Sequence, residues 1–176
     1  MATDDPSIRD SLYRQAAAEY GLALERLCFG YEADPDRRQD LLQDIHVQLW
    51  RSFEVFDGRC SLRTWTYRIA HNVAVSHTIR RSKAPVFLTL EQAAELPGNI
   101  GAEAAVERRQ VLARLLALVR DLDLLDRQVI LSYLEGFDAE SISELTGISK
   151  ASVWTKVHRI KSILAKRFWT PVGGNR

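Results

Sequence analysis

Lys150, Ser152, Thr155, Lys156 and Arg159 fall within ten residues of one another towards the C-terminal end of the chain. Their chemistry suits recognition of a polyanion rather than bond-making. Ammonium and guanidinium groups hold phosphate oxygens, and hydroxyls bond to phosphates or to base edges. At helical spacing these side chains lie on or beside one face. The opposite face carries Val153, Val157, Ile160 and Leu164, which recur at intervals of 4, 3 and 4.

A second group lies further upstream. Arg63, Thr64, Tyr67, Arg68, His71 and Asn72 are spaced so that several share one helical face, and Arg80, Arg81 and Lys83 extend the charge. Cations grip a phosphate backbone, Tyr and His rings stack on exposed bases, and an amide reads a base edge. That mixture suits single-stranded or locally melted nucleic acid better than intact duplex. The preceding loop, Gly58 to Leu62, can wall a pocket for one unstacked base. For Trp65 the reading is a core residue. Groups that would catalyse are not apparent: there is no phosphate-cradling glycine loop, no metal-ligand cluster and no nucleophile beside a base. His46 and His158 read as ordinary helix residues. The expectation is a binding protein, not an enzyme, with no cofactor or metal.

The elements that must position these groups are helical. Asp138 precedes a short helix in which Ala139, Ile142 and Leu145 stack; Gly147 suits a left-handed turn, and Ser149 caps the basic helix. A helix-turn-helix needs such residues at these offsets to present its second helix to a major groove. Upstream, a first helix is expected from near Ser7 towards Tyr31. Asp34-Pro35-Asp36 breaks it and opens a second, to about Phe53, with Leu41, Leu42, Ile45, Leu49 and Phe53 towards a core. Asp57-Gly58 marks a turn, and Ser61 caps a third helix whose inward stripe reads Leu62, Trp65, Ile69 and Val73. Helix resumes near Ala102, with Val111, Leu112, Leu115, Leu118, Val119 and Leu122 apolar, and Asp126 is read as the cap of the next helix, ending at Gly136.

The chain has 176 residues, 46% of them hydrophobic and 27% charged, and shows no sustained strand-like alternation. An all-α fold of two small helical domains follows. Residues 1–83 form one, 84–101 a linker with a possible helical turn at Leu90–Glu95, 102–169 the other, and 170–176 a frayed tail. With the acidic, polar start MATDDPS and no long apolar run, neither a signal peptide nor a membrane span is expected. Cys28 and Cys60 have neither metal-ligand spacing nor disulfide density, so a reduced, cytoplasmic protein is expected.

A net charge of +1 conceals alternation. Residues 58–83 carry six bases and no acid, and residues 145–176 seven bases and no acid; the segments before each are net −6. A charge run is ordinarily a solvated face. Here both runs coincide with recognition features, which points to two separate places that meet polyanion.

Together these residues carry a plain resemblance. DLLQDIHVQLWRSFEVFDGRCSLRTWTYRIAHNVAVSHTIRR resembles region 2 of bacterial sigma factors of the extracytoplasmic-function type, in the sigma-70 family. LDLLDRQVILSYLEGFDAESISELTGISKASVWTKVHRIKSIL is similar to their region 4. The resemblance implies that Asp40, Gln43, Asp44, Val47 and Trp50 meet core RNA polymerase. It implies that Asp57, Gly58, Arg59, Ser61, Arg63, Thr64, Tyr67, Arg68, His71, Asn72, Arg80 and Arg81 meet the −10 promoter element as it opens to single strands. Lys150, Ala151, Ser152, Thr155, Lys156 and Arg159 would read the duplex −35 element. An anti-sigma factor is a further implied partner. Two departures stand out: Arg38 and Gln39 where the family often has an acidic pair, and Ser76 followed by His77 where it usually has an Asp. The alternatives are a helix-turn-helix regulator that binds duplex without polymerase, and a sigma-like decoy for an anti-sigma factor.

Overall fold

The chain divides into two compact units, Met1–Thr89 and Leu90–Arg176. The structure, a computed structural model, describes residues 6–82 and 102–169. The expected linker, with its helical turn at Leu90–Glu95, and the expected tail lie outside the described residues. All the regular structure described is helical, as the periodicity predicts. Among the described residues no helix is long and apolar enough to cross a membrane.

The first unit is a bundle of α1 (Pro6–Tyr31), α2 (Pro35–Ser52) and α3 (Leu62–Ser82), each packed on the other two. Asp34 caps α2, its Oδ1 accepting from the Arg37 N–H at 3.0 Å, with Pro35 in the first turn. Such a cap is worth about 1 kcal/mol. Leu41, Ile45, Leu49 and Phe53 are fully buried, as are Ala16, Leu24, Leu27 and Cys28 of α1, while Leu42 is only half-buried. Burial pushes the Cys28 thiol up to about 12, so it behaves as a small apolar group.

The inward face of α3 differs from the sequence expectation. Its buried residues are Thr64, Thr66, Tyr67, Ala70, His71 and Ala74. Leu62, Trp65, Ile69 and Val73, expected inside, are half-buried along the flank. Two alanines leave α1 and α2 room to approach, and the Tyr67 and His71 rings fill the space beside them, His71 bonded to the Tyr31 hydroxyl. A polar tip does not keep a ring outside when a partner awaits it inside.

The second unit comprises α4 (Ala102–Arg120), α5 (Leu124–Leu134), α6 (Ala139–Thr146) and α7 (Lys150–Trp169). Helix α7 packs on the other three and supplies Val153, Val157, Ile160 and Leu164 to the core, the four positions that the spacing selects. Each such burial contributes ~1.5–3 kcal/mol. Among the described side chains of α4, Leu116 and Val119 are buried; Val111 and Leu112 are exposed.

The cap of α5 is Asp123, not Asp126: Asp123 Oδ1 accepts the Asp126 N–H at 2.8 Å. Asp126 sits within the first turn of the helix, its side chain buried. Buried Arg127 closes the α4–α5 corner by donating to the Arg120 and Leu122 carbonyls.

Candidate nucleic-acid interface

Local sequence builds the second unit's recognition surface. Asp138 caps α6 by accepting the Ser141 N–H at 2.8 Å, a bond that also holds its carboxyl below the usual range. Gly147 ends α6 at φ +76°, a conformation that strains a residue with a Cβ even though nothing nearby would meet that atom. Ser143 Oγ donates to the Ile148 carbonyl at 2.6 Å across the turn, and Ser149 Oγ accepts the Ser152 N–H at 3.2 Å. The turn is therefore closed from both sides, and α7 projects from it.

Ala151, Ser152, Thr155, Lys156 and Arg159 line one surface depression on α7. Lys150 stands apart in an exposed ion pair with Glu140 at 2.6 Å. The two cations within the depression are anchored beneath it: Lys156 Nζ lies 2.7 Å from Asp126 Oδ1, and the Arg159 guanidinium bonds Asp126 Oδ2. Sequence reasoning missed Asp126 in this role. The available signal was a second acid three residues after Asp123, more than a cap requires. On a different flank of α7, Trp154 is 65% exposed.

In the first unit the loop between α2 and α3 is framed by aromatic contacts. Phe56 sits with its ring 5.3 Å from Trp65 and 6.0 Å from Phe53, and Trp65 Nε1–H donates to Ser52 Oγ at 2.9 Å. At the tip Gly58 adopts φ +74°. Asp57 accepts the Arg59 N–H at 3.1 Å and pairs with its guanidinium at 2.6 Å, which keeps the Asp57 carboxyl ionised below the ordinary range. Ser61 Oγ accepts the Thr64 N–H at 3.0 Å and so caps α3. Asp57, Gly58, Arg59 and Ser61 are all exposed.

The candidates on α3 divide. Asn72, Arg80 and Arg81 are exposed, and Arg63 and Arg68 are half-buried. Thr64, Tyr67 and His71, expected on the DNA-facing side, are instead buried, Tyr67 to 1% exposure and His71 to 0%. Their work is internal. His71 Nδ1 meets the Tyr31 hydroxyl at 2.9 Å, and Tyr67 packs edge-on against Tyr20 at 6.3 Å. Burial drives the His71 pKa down to about 3, so the ring is neutral. Instead of those rings, Asn72 shares a groove with Ile69, Val73, Ser76 and Arg80 of α3 and with Asp44, Gln48, Arg51 and Ser52 of α2. Ile69 and Val73 thus line a surface groove rather than the core.

On α2, Asp40, Gln43, Asp44 and Val47 are exposed, Asp44 lying 3.7 Å from Arg80. Trp50 is half-buried: its N–H donates to Asp10 at 2.9 Å and the Arg9 guanidinium stacks 3.7 Å over its ring. Arg38, one of the departures, folds back towards α1, stacked 3.8 Å over Phe29 and donating to the Ala33 carbonyl at 3.1 Å. Ser76, the other, is exposed, and His77 beside it meets a carboxylate unforeseen from sequence. Glu32, fully buried, faces His77 Nε2 at 3.1 Å and accepts from Arg81 at 2.8 Å and from the Asp34 N–H at 3.0 Å. Among the described residues, no group of three or more His, Cys, Asp and Glu is placed to hold a metal ion.

Comparison with known proteins is consistent with both units. Residues 17–84 match the family model for sigma-70 region 2, and residues 112–164 that for sigma-70 region 4. The chain is 27% identical over 154 residues to the ECF RNA polymerase sigma factor SigX of Bacillus subtilis, covering 84% of this chain and 78% of that one. It is 26% identical over 175 residues to the RNA polymerase sigma factor NccH of Alcaligenes xylosoxydans xylosoxydans, covering 91% and 94%. Two solved structures share the fold. One is CnrH in complex with the cytosolic domain of CnrY (TM-score 0.65, 19% identity, 93% and 96% covered). The other is the sigma factor RpoE in complex with the anti-sigma factor NepR from Bartonella quintana (TM-score 0.69, 21% identity, 88% and 94% covered). With a region 2 bundle and a region 4 helix-turn-helix in one chain, the protein belongs to the sigma-70 family, as a sigma factor of the extracytoplasmic-function type.

Proposed function

We propose that the chain binds core RNA polymerase through the exposed face of α2 and directs it to promoters, where α7 reads the −35 duplex and the 53–61 loop with α3 captures the opened −10 strand. The observation that carries this reading is the presence in one chain of both halves of a promoter-recognition device. One is a capped, glycine-hinged helix-turn-helix with its hydroxyls and cations in one depression; the other is a basic α3 beside an exposed, aromatic-framed loop.

Neither basic surface makes many phosphate contacts, and such binding weakens steeply with salt. Tethering both surfaces to one polymerase raises their effective concentration and requires a set spacing between the two elements. Melting is driven by capture of unstacked bases, so the chain performs no bond chemistry and needs no cofactor. Its work places it in the cytoplasm, without membrane insertion. Asp40, Gln43, Asp44, Val47 and Trp50 form the polymerase-facing set. Arg63, Arg68, Asn72, Arg80 and Arg81, with the loop, form the −10 set. An anti-sigma factor is a further partner, by analogy with the solved complex of RpoE with the anti-sigma factor NepR.

Size-exclusion chromatography with purified core polymerase tests the first step. The unsubstituted chain should co-elute with core, and Asp40→Arg with Val47→Arg should separate from it while keeping the helical circular-dichroism spectrum. Co-elution unaffected by that double substitution would reassign the polymerase-binding face.

A further inference from the structure

The Asp126 side chain is only 5% exposed, yet both of its oxygens are occupied by cations of α7. Lys156 Nζ lies 2.7 Å from Oδ1, and the Arg159 guanidinium bonds Oδ2. The two cations differ in what they leave outside. Lys156 is 24% exposed, whereas over half of the Arg159 side chain faces solvent.

We infer that Asp126 is a positioning residue for DNA reading: it fixes one edge of the Arg159 guanidinium so that the rest of the fork is presented in one orientation, while Lys156 serves mainly to neutralise the buried carboxylate. This deepens, and rests on, the reading of α7 as the helix that meets the −35 duplex. A carboxylate withdrawn from water is tolerated only when paired, and removal of a partner leaves an uncompensated buried charge. Arg159 therefore does not swing away to whichever phosphate is nearest. An arginine carries five N–H donors in one rigid plane, so holding one edge sets the direction of the others. Fork donors in a set direction suit the two acceptors of a guanine edge, whereas a mobile cation serves any phosphate. Lys150 shows the contrast. Its partner Glu140 is exposed, and such a pair yields readily to a phosphate.

This assignment separates specificity from affinity. Replacing Asp126 by Asn removes a negative charge beneath the DNA-facing helix and releases the fork. Binding to unrelated sequence should hold or tighten while discrimination falls. A purely structural role would weaken both together.

The test uses the full chain assembled with core polymerase, a promoter selected for that holoenzyme from a randomised library, and the same promoter with its upstream element scrambled. Asp126→Asn should lower the ratio of matched to scrambled affinity about tenfold, with scrambled binding unchanged or tighter. An unchanged ratio overturns the proposal, as does a parallel loss of both affinities. If the variant fails to fold, nitrogen-15 NMR of the unsubstituted chain decides, with the Arg159 guanidinium assigned through Arg159→Lys. Restricted rotation about its Nε–Cζ bond supports positioning, and free rotation overturns it. If the unsubstituted holoenzyme does not discriminate the upstream element at all, the reading of α7 falls and this proposal with it. Discrimination that survives in Asp126→Asn overturns the proposal alone.

Discussion

The Tyr31 hydroxyl and His71 Nδ1 share a buried hydrogen bond of 2.9 Å, joining the last turn of α1 to the middle of α3. The bond turns His71 inward, and Tyr67, one turn earlier, follows it into the core, their rings 6.4 Å apart. Rotation of α3 is thereby set, and the rotation decides which of its side chains reach solvent: Asn72 and Arg80 do, whereas Tyr67 does not.

This arrangement makes the first unit sensitive to acid. His71 has its pKa driven from an ordinary 6.5 down to about 3 by burial. Between those values the unfolded chain binds a proton that the folded chain refuses. Stability is thus fully present above pH ~6.5 and declines as pH falls through that window, by about 1.4 kcal/mol per unit from this group. Urea denaturation at pH 7 and pH 5 should differ by about 2 kcal/mol more in the parent than in His71→Gln. Equal pH dependence in the two proteins would contradict the account.

Ser52 is the acceptor for the Trp65 indole N–H at 2.9 Å, which closes the frame around the loop. Ser52→Ala should cost about 1 kcal/mol by leaving that donor unpaired. Amide hydrogen exchange across residues 53–61 should rise while that of α1 is unchanged. No local rise would mean that the Phe56–Trp65 contact alone holds the loop.

Arg63→Ala with Asn72→Ala should impair promoter opening more than closed-complex formation, read by permanganate reactivity at the melted strand. Tyr67→Ala should behave differently. The ring is buried, so its loss should lower unfolding stability by about 3–5 kcal/mol and depress every activity together. Selective loss of opening in folded Tyr67→Ala would place the ring back on the DNA surface.

Lys156→Met should destabilise the second unit by about 1–3 kcal/mol, because Asp126 loses one of two partners in a buried setting. Combining it with Asp126→Asn should recover part of that loss. The double-mutant cycle therefore predicts non-additivity of at least about 0.5 kcal/mol in thermal or urea unfolding. Additive losses would show that the pair is not coupled.

The helix-turn-helix was legible because every device in it is local. Asp138, Gly147 and Ser149 act on backbone within a few residues, and the α7 core positions recur at helical spacing. Helix α3 was misread in rotation because Tyr67 and His71 read as polar, and the partner that internalises His71 lies forty residues earlier on α1. Asp126 and Glu32 escaped notice for the same reason. A carboxylate declares itself buried only through its cations, and those arrive from 30 to 49 residues downstream. Local spacing carries the Asp34, Asp138 and Ser149 caps and the α7 stripe; it does not carry which distant charge will be drawn inside.

Run-off transcription by purified core polymerase, with and without this chain, on promoters selected from a randomised library tests the central claim most directly. The account predicts a discrete transcript that requires the chain, is lost when either promoter element is scrambled, and appears without any added nucleotide-hydrolysing activator. No chain-dependent transcript, together with no binding to core, would contradict it.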